Sequence, residues 1–114
     1  NTHWTLLVIY IQKKEIHYYD SMSGSGTAYL NAAERWIIDE GREKYSMTID
    51  KSEWKKFSQE NHVPQQRNGF DCGMFTIMCA DYISDDLPLT YSQAEMSEYR
   101  LKVGAAILRG GLTY

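Results

Sequence analysis

Proline and cysteine are scarce in this sequence, two of each in 114 residues. Nowhere does it string together the roughly 18 to 20 apolar side chains that a membrane-crossing helix requires. So little proline with only eight glycines excludes a collagen-like or low-complexity chain, and 43% hydrophobic residues exclude disorder as the main state. A large excess of one charge is also missing. Lys and Arg number 12 against 15 Asp and Glu, a net charge of −3, which argues against a uniformly basic surface for nucleic acid or acidic lipid. The basic flank and apolar run of a secretory signal are absent from the first residues. What remains is the size and composition of one small globular domain, expected to be soluble and intracellular, with no nucleic-acid partner and no membrane span.

The two cysteines are too few for a structural zinc site, and no cofactor or metal is expected. Cys72 and Cys79 fall on one predicted helix, where a rise of about 1.5 Å per residue separates them by about 10 Å, beyond disulfide reach. Each is therefore a free thiol in a reducing compartment, either packed in the core or working as a nucleophile.

His3 to Ile11 is apolar on both faces and rich in β-branched and aromatic residues, which predicts a buried strand. A polar break at 12–15 precedes a second β pattern, Ile16 to Tyr19, that ends at Asp20. As a hairpin the two would bring His3 and Asp20 to the same edge. Ser21 to Gly26 is a loop by composition. Thr27 is a helix cap, with Leu30, Ala33, Ile37 and Ile38 on one side of a helix stopping at Gly41. Tyr45 to Asp50 fits no pattern, and Trp54 to Phe57 has the makings of a short strand. A polar, turn-rich loop, His62 to Phe70, leads to a largely buried helix with Asp71 as its N-cap and Cys72 in its first turn. Leu87-Pro88 interrupts the pattern, and a last helix runs from Ser92 to about Arg109, where glycines stop it. Trp36 and Trp54 belong to no motif and are assigned to packing. His17 and His62 are read as ordinary surface or satisfied histidines.

A cysteine in the first turn of a helix has unpaired backbone N–H groups and the positive end of the dipole beside it, which favours thiolate. Attack on a carbonyl also needs a proton shuttle held by an acceptor, and His3 with Asp20 is a candidate pair. Asp20 has an alternative role as the cap of a turn with Ser21. For an oxyanion, the loop before Cys72 offers the amides of Gln65 and Gln66 together with the Cys72 N–H. Asp71 is a helix cap rather than a proton carrier, and its charge would partly oppose a thiolate next to it.

Val63-Pro64-Gln65-Gln66-Arg67-Asn68-Gly69-Phe70-Asp71-Cys72-Gly73, with His3-Trp4 and Tyr18-Tyr19-Asp20-Ser21-Met22, resembles the C-terminal half of the Ulp/sentrin-protease family of SUMO-specific cysteine proteases. The similarity extends to about Leu112 and includes Gln93, Met96, Tyr99 and Arg100. By that resemblance Cys72 is the nucleophile, His3 the general base and later acid, Asp20 the group that orients His3, and Gln66 the oxyanion donor. Trp4 corresponds to the tryptophan that roofs a channel for a Gly-Gly tail, where only residues without side chains fit.

The resemblance implies an α+β fold of papain-like, Ulp type: a partial mixed sheet packed against the Cys72 helix and the last helix. It implies a monomeric thiol protease of nucleus or cytoplasm that cleaves SUMO or a related modifier from lysine or from a precursor tail, through a thioester. Family catalytic domains have roughly 200 residues, so residues 1–114 are expected to be the C-terminal part of one, its N-terminal half absent, poorly active and weakly stable alone. Alternatives are a protease for NEDD8 or ubiquitin, an effector-type acyltransferase, and an inactive modifier-binding module. Leu108-Arg109-Gly110-Gly111 copies a ubiquitin tail but is taken as the end of a helix.

Overall fold

β-branched and aromatic residues cluster in two short runs near the start of the chain, and both become strands in the computed structural model, which describes residues 2–58 and 62–111. Leu112, at the end of the family resemblance, lies outside the described residues. Strand β1 (Leu6–Tyr10) pairs antiparallel with β2 (Glu15–Tyr19), Leu6 opposite Tyr19 and Tyr10 opposite Glu15. Lys14, at φ 56°, closes the turn between them. The region around Trp54–Phe57 is β3 (Lys55–Ser58), which runs parallel to β2 on its other side, so the three-stranded sheet is mixed with β2 at its centre.

Helices cover both faces of this sheet. Ile16 and Tyr18 of β2 point to one face, where they pack with Leu30 and Ile37 of α1 (Thr27–Tyr45). Tyr19 points to the other, against Phe75, Met78 and Cys79 of α2 (Cys72–Ser84) and Met96 of α3 (Met96–Arg109). β1 alternates likewise, with Leu7 and Ile9 toward α1 and Leu6 and Val8 toward α2. This explains why its sequence is apolar throughout. The strand is nevertheless half-buried rather than buried, because it lies at the sheet edge among the described residues, and it starts at Leu6 rather than His3.

Three further expectations are corrected. The N-cap of α1 is Gly26, not Thr27, and no side chain caps this end. A Cβ on Gly26 would fall 2.2 Å from the Tyr18 ring, so the sheet's approach to the helix start demands glycine there. The helix also runs through Gly41 to Tyr45, ending at left-handed Ser46 (φ 52°). Gly41 serves instead as a contact: a Cβ would meet Ile49 Cδ1 at 2.5 Å. Trp54 packs beneath α1 as expected, but Trp36 is 56% exposed, since it stands one residue from buried Ile37 and is turned about 100° away from it. It borders a groove of about 720 Å³ with Ile11, Tyr45 and Met47.

The last helix is preceded by a 3-10 turn, Gln93–Glu95, and stops at left-handed Gly110 (φ 75°), the glycine stop expected for it. No helix among the described residues is long and apolar enough to cross a membrane.

Candidate active site

With Leu6 paired to Tyr19, the residues just outside the hairpin, His3 before β1 and Asp20 after β2, meet at one edge. His3 Nε2 lies 2.6 Å from Asp20 Oδ1. Asp20 is buried and accepts further bonds from the N–H groups of Met22 (2.8 Å) and Gly24 (3.0 Å) and from the Tyr18 hydroxyl (3.3 Å). It therefore caps the following turn and holds His3 at once. Gly24 is a requirement of this arrangement, because a Cβ there would stand 2.3 Å from Asp20 Oδ2. Burial pushes the Asp20 carboxyl up, but the His3 bond and the Met22 and Gly24 N–H groups outweigh it and hold it below its usual range. His3 is shifted the other way. Its bond to Asp20 raises it against the opposing effect of burial, and the Cys72 sulfur raises it further. With Nε2–H donated to Asp20, Nδ1 is left as the nitrogen that can exchange a proton with Cys72.

Cys72 is the first residue of α2 and is buried. The backbone N–H of Trp4 donates to its sulfur, and this, with His3 and the Gly73 N–H, lowers the thiol below its ordinary value despite burial. Cys79, on the same helix, meets the Tyr91 hydroxyl in place of backbone N–H groups and a histidine. Burial outweighs that hydroxyl and pushes the thiol up to about 11, and it sits in the core as expected.

Trp4 is fastened over the helix start by its own backbone, since Thr76 Oγ1 donates to the Trp4 carbonyl at 3.0 Å. Trp4 is 61% exposed and borders a groove of about 360 Å³ with Cys72, Gly73, Phe70, Ile77 and Arg100. A Cβ on Gly73 would already be in contact with the indole, 3.8 Å from Cδ1.

The loop before Cys72 separates the two glutamines. Gln65 donates both amide hydrogens, to the carbonyls of Asp20 (3.1 Å) and Val63 (3.0 Å), and so helps hold the Asp20 backbone. Gln66 donates one, to the Asn68 carbonyl at 2.7 Å, while its N–H bonds to the Ser21 carbonyl at 3.0 Å and its Oε1 accepts from Ser21 Oγ. Among the described residues its hydrogen bonds run to these groups rather than to Cys72, and its second amide hydrogen has no partner. Ser21 thereby joins the acid at Asp20 to the loop that leads to the cysteine, a role no sequence pattern suggested.

Asp71 occupies the N-cap position of α2, but its side chain makes no cap bond. It accepts instead from Asn68, Gln93 and Arg100. The reason is burial: at 5% exposure the carboxylate finds the Asn68 amide of its own loop and, from across the fold, the Gln93 amide and the Arg100 guanidinium. Of the other histidines, His17 bonds Glu15 at 2.9 Å and stacks on Phe57, and His62 is exposed.

The descriptive profile "Ulp1 protease family, C-terminal catalytic domain" matches residues 1–110. The chain is 40% identical over 110 residues to ubiquitin-like-specific protease 1A of Arabidopsis thaliana, covering 96% of this chain and 22% of that protein. It is 41% identical over 107 residues to sentrin-specific protease 2 of Homo sapiens, covering 93% and 18%. Among solved structures it superposes with TM-score 0.79 and 29% identity on the C-terminal Ulp1 protease domain in complex with Smt3, the yeast ortholog of SUMO, over 97% of this chain and 49% of that one. It thus spans about a fifth of these curated relatives and about half of that solved domain. The α+β fold is the one shared with that protease domain, and the chain belongs to the Ulp1 protease family.

Proposed function

We propose that this chain carries the catalytic centre of a SUMO-specific cysteine protease that cleaves after the C-terminal Gly-Gly of the modifier. The substrates are the isopeptide bond to a lysine and the peptide bond of a precursor tail. The observation that carries this reading is the setting of Cys72: a thiol at a helix start, held toward thiolate by the Trp4 and Gly73 N–H groups and by a histidine whose far nitrogen is bound to Asp20. The sulfur attacks the carbonyl carbon of the terminal glycine, and the oxyanion is received by the Cys72 N–H and the remaining Gln66 amide hydrogen. Protonated His3 gives its proton to the leaving nitrogen as the C–N bond breaks, leaving a thioester. Water then attacks with His3 taking its proton, the C–S bond breaks, and Cys72 returns as thiolate. Trp4 admits glycine and excludes larger residues.

In this reading residues 1–114 are the C-terminal part of the catalytic domain, as their match to about half of the solved protease domain supports, and the rest of the modifier-docking surface lies elsewhere in it. Two free thiols favour a reducing compartment, nucleus or cytoplasm.

The test is capture. The intact protein, mixed with SUMO, NEDD8 and ubiquitin each bearing an electrophile at the C-terminus, should form a covalent adduct with SUMO that disappears in Cys72→Ala. Preferential capture of NEDD8 or ubiquitin would overturn the substrate assignment. No adduct with any, or one that survives Cys72→Ala, would overturn the protease assignment.

A further inference from the structure

Every catalytic cysteine at a helix start shares its end of the helix with the residue before it, and here that residue is an acid. Asp71 is 5% exposed and adjacent to Cys72, so an isolated carboxylate there would oppose the thiolate on which the chemistry depends. Three side chains meet it. Asn68 Nδ2 donates to Oδ2 at 2.8 Å, Gln93 Nε2 to the same oxygen at 2.9 Å, and the Arg100 guanidinium to Oδ1. These partners also hold the backbone of the loop. Asn68 Oδ1 accepts from the N–H of Phe70 (3.2 Å) and of Asp71 (3.0 Å), and Gln93 Oε1 accepts from the N–H of Arg67 at 2.7 Å. Gln93 therefore binds the loop at both ends, and Arg100 supplies the single full positive charge in the group.

We propose that Arg100 and Gln93 are positioning residues for Cys72: Arg100 cancels the charge of Asp71 beside the sulfur, and Gln93 fixes the 67–71 backbone that presents the Cys72 N–H. With Cys72 taken as the nucleophile, as proposed above, this gives a role to a 3-10 turn and a helix that contribute nothing to the His3–Asp20 pair. A neutral residue at position 71 would spare the fold a buried charge, but the acid gives the cysteine loop a point to which its own Asn68 and two groups from the 3-10 turn and α3 converge. Among the described residues, the charged groups brought toward Cys72 include His3 with Asp20 behind it from the hairpin, Asp71 at the start of its own helix and Arg100 from α3. Arg100 also borders the groove beside Trp4, so its charge lies on the path to the sulfur.

The rate of Cys72 alkylation by iodoacetamide, followed against pH in the intact protein, tests this without any modifier. Its failure is thus separable from that of the protease assignment, which rests on capture of the electrophilic tails. Arg100→Gln should slow alkylation at pH 6 by about tenfold, with the acid limb of the profile moved to higher pH, because an uncompensated Asp71 disfavours the thiolate. Arg100→Lys should stay within about threefold of the wild type, since the charge is kept. Arg100→Gln combined with Asp71→Asn should return to within about twofold, since charge and countercharge leave together. A role confined to holding the fold would lower the melting temperature of Arg100→Gln without moving the profile. An unmoved profile, or a double variant as slow as Arg100→Gln, overturns the proposal. So does a double variant that does not fold. Should Arg100→Gln alone fail to fold, Asp71→Asn decides: it must alkylate at least as fast as the wild type at pH 6.

Discussion

Cys72 and Cys79 are the same side chain on the same helix, two turns apart, and the fold gives them opposite chemistry. Cys72 has the Trp4 and Gly73 N–H groups and His3 about its sulfur, while Cys79 lies among Tyr91, Met78 and Phe75, where burial outweighs the Tyr91 hydroxyl, which favours its thiolate. Each pH unit by which a thiol is lowered multiplies its thiolate fraction by ten while it is mostly protonated. Iodoacetamide at pH 6 should therefore modify Cys72 faster than Cys79 by about 100-fold or more, read by mass spectrometry of the two peptides. Equal rates would mean that the N–H groups at the helix start do not act on the sulfur. The residues that meet at the site were legible in the sequence to very different degrees. Cys72, His3 and Asp20 could be picked out because a helix start and a hairpin edge place them by local rules. Arg100 and Gln93 could be picked out only as members of a family pattern. Their partner Asp71 is 29 and 22 residues away, and no periodicity links them. Asp71 itself looked like a cap because its position is one, and only burial reveals that its carboxylate is turned elsewhere.

The elements were more legible than their ends. Both hairpin strands, the short parallel strand, and the helices carrying Cys72 and Arg100 lie where periodicity and breakers put them. The errors at the two ends of α1 have one cause, since Gly26 and Gly41 answer to contacts from outside the helix and not to the helix itself. Capping preferences rank serine well above alanine and slightly above glycine at an N-cap, so Gly26→Ser would be stabilising on local grounds. The Tyr18 ring, 4% exposed and stacked on Tyr29, leaves no room for a Cβ that would lie 2.2 Å from it. Overpacking of this kind costs about 1–3 kcal/mol, more than a cap returns. Urea denaturation of Gly26→Ser should thus give a lower midpoint than the wild type. A midpoint equal or higher would show that α1 can move off the sheet without loss. Asp20 is two residues beyond Tyr18 and bonded to its hydroxyl at 3.3 Å, so the same variant should also reduce turnover.

At the scale of the molecule, the titratable groups that the fold shifts most usefully are those that join its parts. His3 belongs to the segment before β1, Asp20 to the end of β2, and Asp71 to the start of α2, where Arg100 reaches it from α3. His3 is raised above its ordinary value of 6.5 in the folded state, so its contribution to stability is fully present below pH 6.5 and lost as pH rises through the higher folded value. Asp20 and Asp71 are lowered below 3.8. Their contribution is present above that pH and lost as pH falls through the lower folded values. The contributions coincide only between about pH 4 and 6.5, where the joined state is held from both sides. Melting curves of the intact protein should therefore show a His3→Gln deficit that is larger at pH 5.5 than at pH 8.5. An Asp71→Asn deficit should instead be larger at pH 6 than at pH 3. Deficits that do not change with pH would mean that these residues hold the fold by shape alone. A His3 deficit that grew toward alkaline pH would contradict the sign required by its bond to Asp20.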